Sequence, residues 1–125
     1  MSDQEIEKAI QAKGANVAPR VTPADIEANI VSEVYFTAAD GCVGVGMTAE
    51  KHLCPQSLNL LTFCVLVLRN GFTVTGESAC ASPENFDAEI GRKVARAQAV
   101  SKIWPLMGYE LKSQLAVIEN LKAGA

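Results

Sequence analysis

Between residues 58 and 79 the chain passes from a nearly unbroken apolar run, Leu58 to Leu68, into an alternating stretch, and Asn70-Gly71 stands between the two. That dipeptide is the strongest short-range hairpin signal, because a two-residue type I′ turn needs positive φ at both positions. The pattern predicts strands over Leu61–Arg69 and Phe72–Ala79, with Val67 opposite Val74 and Leu66 opposite Thr75. On the first strand Leu61, Phe63, Val65 and Val67 share one face while Cys64, Leu66 and Leu68 share the other, so both faces need cover. The same parity sends Cys64 and Cys80 to opposite faces, which argues against a disulfide between them.

Helical spacing governs the rest. Ser2 and Glu5 form a capping box ahead of Ile6, Ala9 and Ile10, and Gly14 offers a left-handed stop, giving a weakly amphipathic helix over about residues 3–13. Thr22-Pro23-Ala24-Asp25 is a second start signal, with Thr22 as N-cap and Pro23 at the first helical position. Ile26, Ile30 and Val34 then favour a helix running to Ala38 or Ala39, although Val34-Tyr35-Phe36-Thr37 also suits a strand. From Asp40 to Ser57 the glycines and Pro55 interrupt any period, and the segment reads as an irregular, mobile loop. Ser82-Pro83-Glu84-Asn85 opens a further helix whose stripe is Phe86, Ile90, Val94, Ala97, Val100 and Trp104. Pro105 ends or kinks it, and Met107, Leu111, Leu115 and Ile118 set a last helix to about Lys122.

The resulting expectation is an α+β fold in one domain: an antiparallel hairpin-centred sheet packed by C-terminal helices. Residues 1–21 read as an N-terminal helix and linker, and residues 22–125 as the domain, with the irregular loop at 40–57. The doubly apolar first strand must be covered on its second face by the Thr22 helix or by a partner subunit. With 125 residues and 49% hydrophobic composition, such a chain builds a core without staples. The apolar run is about half the roughly 20 residues of a membrane helix and closes at Arg69. The start Met1-Ser2-Asp3-Gln4-Glu5 lacks the basic and apolar segments of a signal peptide, so the cytoplasm is expected.

Net charge is −3, which counts against nucleic acid as a partner. Residues 1–82 carry 5 basic and 9 acidic side chains and residues 83–125 carry 6 and 5, so any anion-attracting face lies in the C-terminal third. Cys42, Cys54, Cys64 and Cys80 are separated by 11, 9 and 15 residues and form no CxxC pair. Cys42, His52 and Cys54 lack a fourth ligand, so neither a metal site nor a cofactor is expected. His52 has no nucleophile at a motif spacing, and Ser78 and Ser82 lack a nucleophile elbow, which leaves no positive signal for an enzyme.

Two patterns in the third helix carry the candidate sites. Ala88, Gly91, Ala95 and Ala99 form a ridge of small side chains, and an interior glycine implies close approach of another backbone, either the chain's own hairpin or a second subunit. Arg92 and Arg96 lie one turn apart and, with Lys93, present a face that could clamp a phosphate or carboxylate, with Tyr109 available to stack a base. The bland alternative is a solvated surface, since Glu89 stands one turn before Lys93.

Three strings carry a resemblance. Asn70-Gly71-Phe72-Thr73-Val74-Thr75-Gly76-Glu77-Ser78-Ala79, Asn85-Phe86-Asp87-Ala88-Glu89-Ile90-Gly91-Arg92-Lys93, and Lys102-Ile103-Trp104-Pro105-Leu106 with Gly108-Tyr109 are similar to a family of small tailed-phage and prophage proteins. The family is named after two phage gene products, forty-nine and sixty-six. The resemblance covers roughly residues 20–115, brings no catalytic residues with it, and finds Met107 where an acidic residue is expected. It implies a phage-encoded accessory protein in the cytoplasm of the infected bacterial host. Two readings follow: a non-enzymatic homo-oligomer that binds a host protein for takeover or anti-defence, or a protein that sequesters a nucleotide signal through Arg92, Lys93, Arg96 and Tyr109. A small enzyme with a site assembled between subunits is the third and weakest.

Overall fold

The computed structural model describes residues 2–124 and orders them as α1 (Asp3–Ala12), α2 (Pro23–Asn29), β1 (Ile30–Thr37), α3 (Ala38–Gly44), α4 (Gln56–Asn59), β2 (Leu61–Leu68), β3 (Thr73–Ala79) and α5 (Ala88–Gly124). The fold is α+β, as the hydrophobic pattern predicts, around an antiparallel sheet in the order β1-β2-β3. The chain gathers into two compact units, Ile30–Lys102 and a second made of Met1–Asn29 with Ile103–Ala125.

Several expectations are corrected. The helix expected to run from the Thr22 cap to Ala38 or Ala39 stops at Asn29, and Ile30–Thr37 is a strand. β-branched and aromatic side chains gain more from pairing with β2, where Val34 faces Val65 and Phe36 faces Phe63, than from a helical stripe. The loop at 40–57 is largely structured: Thr37 and Asp40 form a capping box that starts α3, and a 3-10 turn at Lys51–Leu53 precedes α4. That box follows the Thr-x-x-Asp spacing, a local signal that the glycine-rich reading of the segment passed over.

The hairpin exists, but its register is shifted by one residue: Leu66 pairs with Val74 and Val67 with Thr73. Its loop has three residues, Arg69-Asn70-Gly71, closed by the Leu68 amide on the Phe72 carbonyl at 2.8 Å, with only Gly71 at positive φ. This is a type I turn followed by a left-handed glycine rather than a type I′ turn. The shift also overturns the cysteine parity. Cys64 pairs with Gly76, and the Cys80 amide bonds the Leu60 carbonyl, so both lie in the same alternation but four residues apart along the sheet. Both thiols are free.

α5 begins at Ala88, not at Ser82, because Phe86 is extended and Asp87 supplies the cap to the Ile90 amide at 3.0 Å. It then runs through Pro105 as one helix where two were expected. Its buried face in the sheet unit is Gly91, Ala95 and Ala99, whereas Ile90 is 61% and Val94 49% exposed. Together with Cys64 and Leu66 of β2, those small residues form the core of the unit. The reason lies at Gly76, where an added Cβ would stand 2.0 Å from the Ala95 carbonyl oxygen and 2.5 Å from the Ala99 nitrogen: β3 and α5 meet backbone to backbone. Only small side chains permit that approach. The other sheet face, carrying Val34, Phe36, Phe63 and Val65, remains half-buried to exposed, and Phe36 stacks on Phe63 with centroids 5.5 Å apart.

Candidate functional site

Each basic residue of the α5 cluster has a different fate. Arg96 is tied to β1: its Nε and Nη2 donate to Glu33 Oε1 at 3.0 and 2.7 Å, while the Tyr35 hydroxyl donates to Glu33 Oε2 at 2.9 Å. The guanidinium holds the Glu33 carboxyl below its ordinary range, and burial, with Glu33 second, pushes the Tyr35 phenol up. Lys93 pairs with Glu89 at 3.3 Å across one helical turn on an exposed surface. Arg92 has neither ion pair nor hydrogen bond among the described residues. The Arg92–Arg96 clamp is therefore not formed, and Tyr109, 79% exposed, belongs to the other unit.

Arg92 instead lines a pocket of about 110 Å³ with Ala88, Phe86, Tyr35, Phe36, Thr37, Asp40 and Thr62. Chain order explains the assembly. β1 delivers Tyr35, Phe36 and Thr37 in succession, the Thr37–Asp40 box folds α3 back beside them, and the extended residue Phe86 drops its ring beside the first turn of α5. Thr62, 4% exposed, forms the floor. Asp40 is the sole acidic group lining the pocket, and its charge is engaged: Lys51 Nζ lies 2.6 Å from Oδ1, and the Thr37 amide donates to Oδ2 at 2.8 Å. Lys51 first, then Thr37, lowers its pKa. What remains is a free guanidinium over an aromatic wall.

Of the small-residue ridge, Gly91, Ala95 and Ala99 are buried inside the sheet unit, and Ala88 sits on the pocket rim. A Cβ on Gly91 would lie 3.2 Å from Thr62 Oγ1. The ridge thus takes the intramolecular one of its two readings. Residues missed by sequence reasoning are Tyr35, Phe36, Thr37, Asp40, Thr62 and Phe86, of which only the Thr37–Asp40 spacing carried a signal.

The second unit holds a more apolar pocket of about 220 Å³ between Ile6, Ile10, Val21, Pro23 and Trp104. Its polar groups satisfy each other: Arg20 grips Glu7 through two hydrogen bonds of 2.7 and 2.6 Å, and Trp104 Nε1 donates to Asp3 at 3.1 Å. Trp104 is half-buried there rather than a core residue. Cys42 and Cys54 sit side by side, and burial raises the Cys42 thiol ahead of the Cys54 contact. Among the described residues no group of three or more His, Cys, Asp or Glu side chains could hold a metal ion, and no helix is long and apolar enough to cross a membrane.

The strands, the α5 start and the Arg92 pocket all fall inside one match: the sequence profile of the phage protein (N4 Gp49/phage Sf6 gene 66) family covers residues 21–115. The chain belongs to this family. Its α1 and its last helical turns lie beyond the shared region, whereas every lining residue of the Arg92 pocket lies within it. No curated protein and no solved structure matches the chain.

Proposed function

We propose that this phage-family protein is a non-enzymatic accessory that works by binding, and that its ligand is a nucleotide-type anion whose phosphate meets Arg92. The observation that carries the reading is the unpaired Arg92 guanidinium beside Phe86 and Tyr35, an arrangement that pairs one free cation with rings able to stack a base. A pocket of about 110 Å³ is well below the roughly 300 Å³ at which pockets enclose a small ligand. It therefore holds one group of the ligand, and the remainder lies outside it. Sequestering a signal needs affinity without turnover, and the one carboxylate lining the pocket, Asp40, is engaged by Lys51 and the Thr37 amide.

Isothermal titration with AMP, ADP-ribose, a cyclic dinucleotide and inorganic phosphate tests the proposal. At least one nucleotide-type probe should bind, and Arg92→Ala should weaken it by about 10- to 100-fold, the loss of a charge-assisted hydrogen bond. Lys93→Ala should change little. Binding of none of the four probes, or equal binding by Arg92→Ala, sinks the reading.

A second reading, a host polypeptide as partner, is favoured by the open sheet face, where Val34 is 48% and Phe36 37% exposed. A photo-crosslinking residue at position 36 should then join the chain to a host protein in expressing cells. Crosslinks to the same chain alone would remove that reading.

A further inference from the structure

The pocket of about 220 Å³ beside Trp104 lies within one compact unit and shares no residue with the Arg92 pocket. Most of its lining is hydrocarbon: Ile6 and Ile10 from α1, Val21 and Pro23 from the entry to α2, and the Trp104 ring. The three charged residues of the lining are engaged within it. Arg20 donates to both Glu7 oxygens at 2.7 and 2.6 Å, and Asp3 accepts from Trp104 Nε1 at 3.1 Å. An apolar cavity of this kind does not hold water well, because a water molecule needs two to four polar partners; a dry cavity of about 150 Å³ already admits benzene. A space of about 220 Å³ therefore suits one substituted ring and is too small to enclose a nucleotide.

The same pairs decide the charge of the occupant. Arg20 is committed to Glu7, and with Asp3 and Glu7 against one arginine the lining is net negative, so an anion finds no counter-charge there. A cation would have to displace Arg20 from Glu7 or the indole N–H from Asp3, and would exchange its hydration for an apolar wall. An uncharged apolar molecule meets neither cost and gains the surface of Trp104 and the two isoleucines. Its way in lies beside α1, where Ile6 is 42% exposed and no residue of the helix is buried.

We propose that this pocket is a second binding site, independent of Arg92, for a small uncharged apolar ligand about the size of one substituted ring. Titration of the ¹⁵N-labelled full chain with toluene tests it, followed on the indole N–H resonance of Trp104, the single tryptophan. The resonance should shift saturably, with a Kd below about 1 mM. Benzoate and benzylammonium carry the same ring with a charge of either sign, and on the natural chain each should bind about tenfold more weakly or worse. Ile10→Phe places a ring in the space the ligand would take and should weaken toluene by a similar factor, with the Trp104 resonance kept at its folded position. A shift that grows linearly without saturating, a charged analogue that binds as tightly as toluene, or undiminished toluene binding by Ile10→Phe would each overturn the proposal. Where Ile10→Phe moves the resonance to its unfolded position, the two charged analogues decide the matter on the natural chain.

Discussion

Gly76 and Gly91 face the same packing layer with very different tolerances. At Gly76 a methyl group would overlap the α5 backbone, 2.0 Å from the Ala95 carbonyl oxygen, and neither partner can rotate away. Gly76→Ala should therefore cost about 3 kcal/mol or more, read as the shift in the urea midpoint. At Gly91 the neighbour is the Thr62 hydroxyl at 3.2 Å, and alanine gains about 1 kcal/mol of helix propensity, so Gly91→Ala should stay within about 1 kcal/mol of the natural chain. Equal losses at both positions would contradict the backbone contact. Sequence reading identified Gly91 as the tight residue because a glycine inside a helix is conspicuous. A glycine inside a strand announces less, and nothing local to Thr75-Gly76-Glu77 reveals a helix that arrives from residue 95.

Among the elements, α1 depends on a charge pair. Arg20, ahead of Gln11, draws the Glu7 pKa down to about 2, so the carboxylate is favoured in the folded state. A depressed folded value means that its contribution is complete above the unfolded carboxylate range near pH 4.5 and is lost as pH falls from there toward 2. Fluorescence of Trp104, the single tryptophan, should report the loss, because its ring lines the pocket that Glu7 and Arg20 also line. Arg20→Ala should remove the component centred in that window; an unchanged acid titration would separate α1 from the pair. The hairpin and the helix starts at Ser2–Glu5 and Thr22–Asp25 were legible because their signals are local. β1 was not, since Ile26, Ile30 and Val34 fit a helix until β2 offers its ladder, and the α5 start moved from Ser82 to Asp87 because Phe86 is held extended at the pocket.

For the whole molecule the central strand is the natural reservoir of stability. β2 is paired on both edges and buries Thr62, Cys64, Leu66 and Leu68. Native-state hydrogen exchange should rank its amides slowest and those of α1, which buries no residue, among the fastest; uniform protection would count against that ranking. The candidate site could not be read from the sequence as a unit. Arg92 was visible, but Arg96 looked equally available until Glu33 and Tyr35 arrived from a strand more than fifty residues away.

The contact between Gly76 and α5 also selects the hairpin register. Asn70-Gly71 on its own invites the two-residue turn, and that turn would slide β3 by one position, carrying Gly76 to the open side and turning Thr75 and Glu77 toward the helix. With those side chains in the way, α5 has nowhere to seat. The docked helix is thus compatible with the hairpin only in the register that leaves a gap at residue 76.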